Sequence, residues 1–412
     1  MKNSNVRWIG EIPNDWMITK LGSHFKCRNV KVDDISYPPL SVTKMGILPQ
    51  MDTVAKSDAN DNRKQVLSGD FVINSRSDRK QSCGVSKLTG SVSLINTILY
   101  QPNQDYDNGY VSFLLKNYGF AEEFYRWGHG IVADLWTTRW QEMKDIDLPF
   151  PPTNVQKKIA YELQNKIKNI DSLVLNETKQ IEKLEEYKKA VITKAVTKGL
   201  DPNVKMKDSG VEWVGNIPCN WKIVHLSSLF YQLKNKNKGM ACNNLLSLSY
   251  GNVVRRDINK NDGLLPENFE GYNITNEGDI VLRLTDLQND HKSLRTGYCT
   301  EKGIITSAYI TLRKKQNINT HFVRYYLHAF DIQKGFYGLG DGVRQGLTFD
   351  GIKTLPILLP PLEEQNAIEN FLNVKCSEIK KLILLKEQTI ERLKDYRKSL
   401  IFEYVTGKKE VL

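Results

Sequence analysis

MKNSNVRWIGEIPNDW (Met1–Trp16) opens the chain, and MKDSGVEWVGNIPCNW (Met206–Trp221) repeats it with nine of sixteen positions identical. Unrelated stretches of ordinary composition would share about one. The repetition continues. LGSHF (Leu21–Phe25) returns as LSSLF (Leu226–Phe230), LSVTK (Leu40–Lys44) as LSLSY (Leu246–Tyr250), and GDFVI (Gly69–Ile73) as GDIVL (Gly278–Leu282). Late in each half, PPTNVQKKIAYEL (Pro151–Leu163) is answered by PPLEEQNAIENFL (Pro360–Leu372), and IEKLEEYKKAV (Ile181–Val191) by IERLKDYRKSL (Ile390–Leu400). A period of about 207 residues is a tandem copy of a whole domain, far longer than any solenoid unit.

Both copies follow one grammar. A mixed stretch carries short β-like runs such as DFVIN and DIVLRL among Gly, Asn and Asp turns. One helical run comes late in each: YVSFLLKNYGFAEEFYRW (Tyr110–Trp127) and HFVRYYLHAF (His321–Phe330). A double proline then closes the mixed part, and Thr153–Lys198 and Leu362–Thr406 contain neither proline nor glycine. Each reads as one long helix, the first capped by Asn154. Apolar residues fall on a and d heptad positions: Ile167, Ile170, Val174, Ile181, Leu184 and Val191, then Cys376, Ile379, Ile383, Ile390, Leu393 and Leu400.

A single apolar stripe needs a partner, and the nearest is its own copy. The expectation is therefore an α+β chain with a pseudo-twofold internal repeat. Two tandem mixed α/β domains, 1–152 and 199–361, are separated by two long antiparallel helices, 153–198 and 362–412, paired as a coiled coil. The expected register sets Ile181 against Leu393, Leu184 against Ile390, Val174 against Leu400 and Glu177 against Arg397.

The chemistry is bounded by what the sequence lacks. Six cysteines form no C-x-x-C pair and six histidines no closely spaced pair, which argues against a zinc site and for a reducing cytoplasm. No signal-peptide core is present, and the longest apolar stretch, Leu355–Leu362, is too short to cross a membrane. There is no phosphate-binding G-x-x-x-x-G-K-[ST] loop and no N/D-P-P-F/Y tetrapeptide. FYGLGDG (Phe336–Gly342) follows a helical run and reads as a surface loop. No catalytic set assembles and no metal is expected.

Net charge is +11, so a polyanion is the first partner to consider. Basic residues gather in loops that recur in both copies. Arg76, Arg79, Lys80 and Lys87 in NSRSDRKQSCGVSK (Asn74–Lys87) correspond to Arg283, Gln288, Asn289, Lys292 and Arg295 in RLTDLQNDHKSLR (Arg283–Arg295). Thr43 and Lys44 in TKMG correspond to Tyr250, Arg255 and Arg256 in SYGNVVRR (Ser249–Arg256). Arg139 in WTTRW (Trp136–Trp140) corresponds to Arg344 and Gln345 in GVRQG (Gly342–Gly346). Arg, Asn and Gln can bond base edges bidentately, while Lys and Ser hold phosphates. The openings and helices agree closely between copies whereas these loops do not, as in a common frame carrying two unlike readers.

In combination, WIGEIPNDW with WVGNIPCNW, LSVTK with LLSLSYG, LPFPPTNVQKKIA with LPILLPPLEEQNAIENFL, and ITKAVTKGLDPNVKMKDSGVEWVG make a specific signature. The chain resembles the specificity subunits of Type I restriction–modification systems over essentially its whole length. The first copy departs from the P-P-L-x-E-Q pattern, with Pro151-Pro152-Thr153-Asn154-Val155-Gln156, which questions any shared role for Glu363 and Glu364. The resemblance implies two target-recognition domains, each reading half of a split double-stranded DNA site, with the long helices setting the spacing. It implies docking of two modification subunits that carry adenine methylation and S-adenosylmethionine. A restriction subunit using ATP and Mg can join them, while this chain itself binds no cofactor and catalyses nothing. Two rival readings are a self-sufficient methyltransferase or nuclease, and a coiled-coil adaptor indifferent to DNA sequence.

Overall fold

The computed structural model describes the chain except residues 51–61, 131–135, 259–265, 267, 288–293, 340–345 and 412. Two compact units result: Met1–Thr178 with Glu387–Leu412, and Lys179–Lys386. Each long helix, Thr153–Lys198 and Leu362–Val405, contributes one part to each unit. The compact units thus differ from boundaries drawn at the helix ends, because each helix segment packs into the core of the unit it adjoins.

In the first unit a four-stranded antiparallel sheet runs Cys83–Val85, Phe71–Asn74, Asn96–Tyr100, Lys26–Cys27, with Ile98 opposite Val72. In the second the order is Phe230–Gln232, Ile310–Lys314, Ile280–Leu282, Thr296–Tyr298, with Val281 opposite Thr311. The turn before the central strand is built alike in both. Gly69 and Gly278 take left-handed φ of 95° and 89°. The following aspartate grips an arginine with two bonds: Asp70 with Arg28 at 2.8 and 3.1 Å, Asp279 with Arg313 at 2.9 and 2.7 Å. Those aspartates also accept from Leu67 N and Asn276 N, closing the turn.

The helical run of the second unit is one helix, Thr320–Ile332, capped by Asn319. Its expected counterpart breaks in two, Asn108–Leu114 and Tyr118–Arg126, because Asn117 accepts from Phe120 N and starts a new helix. Phe120, Leu114 and Tyr110 join Leu163, Leu400 and Tyr404 in the first core; Phe322, Tyr326 and Trp221 join Ile192, Val196 and Leu372 in the second. Full burial of such side chains is worth roughly 1.5–3 kcal/mol each.

At the start of the long helices the expected Asn154 cap is not used, since the helix already begins at Thr153. A buried glutamine anchors both instead. Gln156 donates to Pro151 O at 2.9 Å and accepts from Asp107 N; Gln365 donates to Pro360 O at 2.8 Å and accepts from Asn319 N. The residue common to both motifs makes the common contact. Past the far ends, Gly199 and Gly407 adopt left-handed φ of 75° and 73°. Lys198 then donates to Val214 O and Asn216 O, and Lys408 to Ile9 O and Glu11 O. The doubled opening segment is thus the receptor for a helix end in each unit.

Within each unit the two helix segments are antiparallel. In the first, Glu162 accepts from Tyr404 and Asp171 pairs with Arg397 at 3.3 Å; in the second, Gln180 accepts from Lys386 at 2.6 Å. These pairs lie one heptad away from the expected register. Val174 packs in the cluster that holds Leu393, and Val191 in the one that holds Cys376. Sliding an antiparallel seam by seven residues keeps every a position facing a d position, so hydrophobic periodicity cannot tell the two registers apart. Ile170, Ile379 and Leu400 are buried along this seam, and Glu177, Ile181, Leu184, Ile383, Ile390 and Arg397 are partly buried.

Candidate functional site

A two-residue β-hairpin projects from each unit: Leu40–Thr43 with Gly46–Pro49, and Leu246–Ser249 with Asn252–Arg255. In the first, Thr43 Oγ1 donates to Gly46 O and accepts from Met45 N, leaving Lys44 and Met45 exposed at the tip. In the second, Tyr250 and Gly251 both take positive φ, 44° and 78°, as a type I′ turn requires. Tyr250 is 78% exposed, a large side chain held outward at the cost of an unfavoured backbone conformation.

Two strand glycines flatten each hairpin onto its unit. A Cβ on Gly90 would lie 2.3 Å from Pro38 O, and one on Gly303 2.6 Å from Asn244 O. A Cβ on Gly84 would come within 3.2 Å of Gly46 Cα, and one on Gly297 within 2.4 Å of Leu248 Cδ1. Sequence reading passed over these four glycines. Their recurrence at one common offset between the copies was the available signal.

In the first unit two of the basic loops are joined to each other. Arg76 follows the central strand and bridges Thr137, while Thr138 N donates to Ser75 O at 3.0 Å, joining the Arg139 loop to the Arg76 loop. Arg76, Arg79 and Lys80 share the lining of one cavity with Tyr125 and Thr138. Arg76, Arg139 and Lys87 are exposed, Arg79 pairs with Asp78 at 3.4 Å, and Lys80 is held by Glu122 at 3.0 Å over the Tyr125 ring.

In the second unit the same joint recurs, with Leu347 N donating to Leu284 O at 2.8 Å. Arg255 pairs with Glu301, Arg256 is exposed and Arg283 partly buried. Arg295 differs from expectation. It is fully buried, and its guanidinium donates to Arg283 O, Thr285 O, Asp286 O and Tyr337 OH, while its own N–H donates to Asp331. The four guanidinium bonds hold this cation inside the protein, away from any surface that DNA could reach. Arg295 is the internal tie of its loop, not a base contact. Lys292, Arg344 and Gln345, with Gln288 and Asn289, lie outside the described residues. Phe336, read as part of a surface loop, is fully buried in the turn Gly335–Leu339.

The buried thiols offer no nucleophile, since burial pushes Cys83 and Cys299 up to about 12 and keeps them protonated. Burial likewise drives His328 down to about 3. Among the described residues, no group of His, Cys, Asp or Glu is placed to hold a metal ion, and no helix is long and apolar enough to cross a membrane.

What remains is a paired frame with unlike tips, and the comparisons bear on it. Residues 218–394 match the family described as the Type I restriction modification DNA specificity domain. Over that stretch, somewhat under half of its length, the chain is similar to that family. Two relatives come from Methanocaldococcus jannaschii. The protein named as the type I restriction enzyme MjaX specificity subunit is 23% identical, covering 97% of this chain and 95% of the relative. The MjaVIII specificity subunit is 25% identical, over 96% and 93%. Among solved structures, a chain reported under assembly and conformational transition of the type I R-M system shares the fold at TM-score 0.72. It is 13% identical and covers 97% of this chain and all of that one. The HsdS subunit from Thermoanaerobacter tengcongensis matches at TM-score 0.55 and 15% identity, over 97% and 98%.

Proposed function

We propose that this chain is a specificity subunit of a type I restriction–modification system, a non-catalytic reader of a bipartite DNA site with one half-site per unit. The hairpin tips Lys44–Met45 and Tyr250–Gly251, with the loops of Arg76, Arg79, Lys80, Lys87, Arg139, Arg255, Arg256 and Arg283, form the reading faces. The observation that carries this is the repeated frame. Aspartate–arginine turn, anchoring glutamine and hairpin glycines recur in both units, while the tips they present share no residue in common. A duplicated scaffold with divergent tips is what reading two different short sequences requires.

The two long helices act as the spacer, related by a pseudo-twofold axis, and as the dock for two methyltransferase subunits. Those partners carry S-adenosylmethionine, and a restriction subunit that joins them carries ATP and Mg. The resemblance of the whole signature to type I specificity subunits supports this reading, as do the lengths of the described helices. The assembly works in the cytoplasm. Mapping methylated adenines in the host genome with and without this gene tests it. A split motif that disappears with the gene is the expected result; methylation unchanged by the deletion overturns the reading.

A further inference from the structure

The second unit contains an open cavity of about 60 Å³, room for several waters. Lys188 of the first long helix, Lys380 and Cys376 of the second, Arg324 of helix Thr320–Ile332 and the tip residues Tyr250 and Gly251 all line it. No carboxylate is among its lining residues. Arg324 spends one N–H on Gly251 O at 2.9 Å, while its Nε is shut off from solvent with no acceptor. Burial and the nearby Lys380 push the Lys188 amine below the usual lysine range, with Glu185 on its own helix offsetting part of this.

The first unit shows what such a place looks like when neutralised from within. At the repeat offset, Arg397 stands for Lys188 and Asp171 for Lys380, and these two pair at 3.3 Å. In the second unit the acidic member has become a lysine. The acid–base pair of the first unit is here two lysines, Lys188 and Lys380, joined by Arg324 where the first copy has Leu115, and the acidic Glu185 nearby offsets only part of this charge.

We infer that the Lys188–Arg324–Lys380 cavity binds a phosphate group, supplied by free phosphate or by a DNA backbone running past the Tyr250 hairpin. Only the second source rests on the DNA-reading role. A tetrahedral oxyanion offers acceptors in several directions at once, which suits three donors from three different elements.

Calorimetric titration of the full chain with inorganic phosphate in chloride buffer tests the site. One phosphate per chain is expected, weakened at least tenfold in Lys380→Asp, which reproduces the pairing of the first unit, and in Lys380→Met. Thermal melting of both variants checks that they fold. No phosphate uptake by the wild-type chain, or uptake unchanged in a folded variant, overturns the inference. Duplex binding over a salt series then separates the sources. A slope of log affinity against log salt reduced by about one in Lys380→Met assigns a backbone phosphate. An unchanged slope with phosphate uptake lost assigns free phosphate. A chain that binds phosphate but no DNA removes the reading role and leaves the site standing.

Discussion

At the scale of single residues, charge alone misleads. Arg295 and Arg76 are both arginines in corresponding loops, yet one is fully buried and the other exposed. Removing the Arg295 side chain strands several carbonyls that its guanidinium satisfies, so Arg295→Ala should destabilise the second unit by about 2–4 kcal/mol. Urea unfolding measures this, and a loss below about 0.5 kcal/mol would contradict the buried role. His328 gives a pH signature with a definite sign. Its folded pKa is depressed, so the folded state takes up its proton later than the unfolded one as pH falls. The stability it allows is whole above about pH 6.5 and declines toward pH 3, by about 2 kcal/mol at pH 5. His328→Gln should remove that share of the decline between pH 7 and 5. An identical decline in the variant would assign it to other groups.

At the scale of elements, the pattern that was easiest to read was also the one that left register open. Heptads and proline-free runs specified both long helices from sequence, because loops and strand turns draw on Pro and Gly and a run this long without either suits a continuous helix. The choice between registers one heptad apart depends on polar pairs such as Asp171–Arg397 and Gln180–Lys386, and charged residues are frequent enough on both helices to offer comparable pairs in either register. Cysteines placed at Val174 and Leu393 should therefore cross-link on oxidation, and cysteines at Val174 and Leu400 should not, as peptide mass spectrometry of the digested chain would reveal. The reverse yield would restore the register expected from sequence. The hairpins teach a different lesson. Lys44 and Tyr250 could be picked out in advance as tip residues, but the strands beneath them could not, since a glycine needed for close approach is written like any other. Gly303→Ala drives a Cβ against the Asn244 carbonyl, and overpacking of this kind costs about 1–3 kcal/mol. Its effect on DNA should be confined to one half-site, read from sequences selected out of a random pool. Equal loss at both halves would mean that the substitution acts through global unfolding.

At the scale of the whole molecule, duplication separates stability from specificity. Each unit has its own core, its own aspartate–arginine turn and its own lysine clamp at a helix end, so neither tip is needed to hold the frame together. Selection on the tips can then proceed without loss of fold, and divergence between Lys44–Met45 and Tyr250–Gly251 is the outcome visible in the sequence. On the proposed reading, the units also act independently on DNA. Arg76→Ala should relax discrimination by about 1–3 kcal/mol at positions within one half of the site, and Tyr250→Ala within the other, with the spacing between halves unchanged. Selecting bound duplexes from a library randomised across both halves measures all three quantities in one experiment. If either variant weakens binding uniformly, with no position relaxed, its side chain holds a phosphate. If both relax the same half, the two hairpins serve a single reader and the duplication has another purpose.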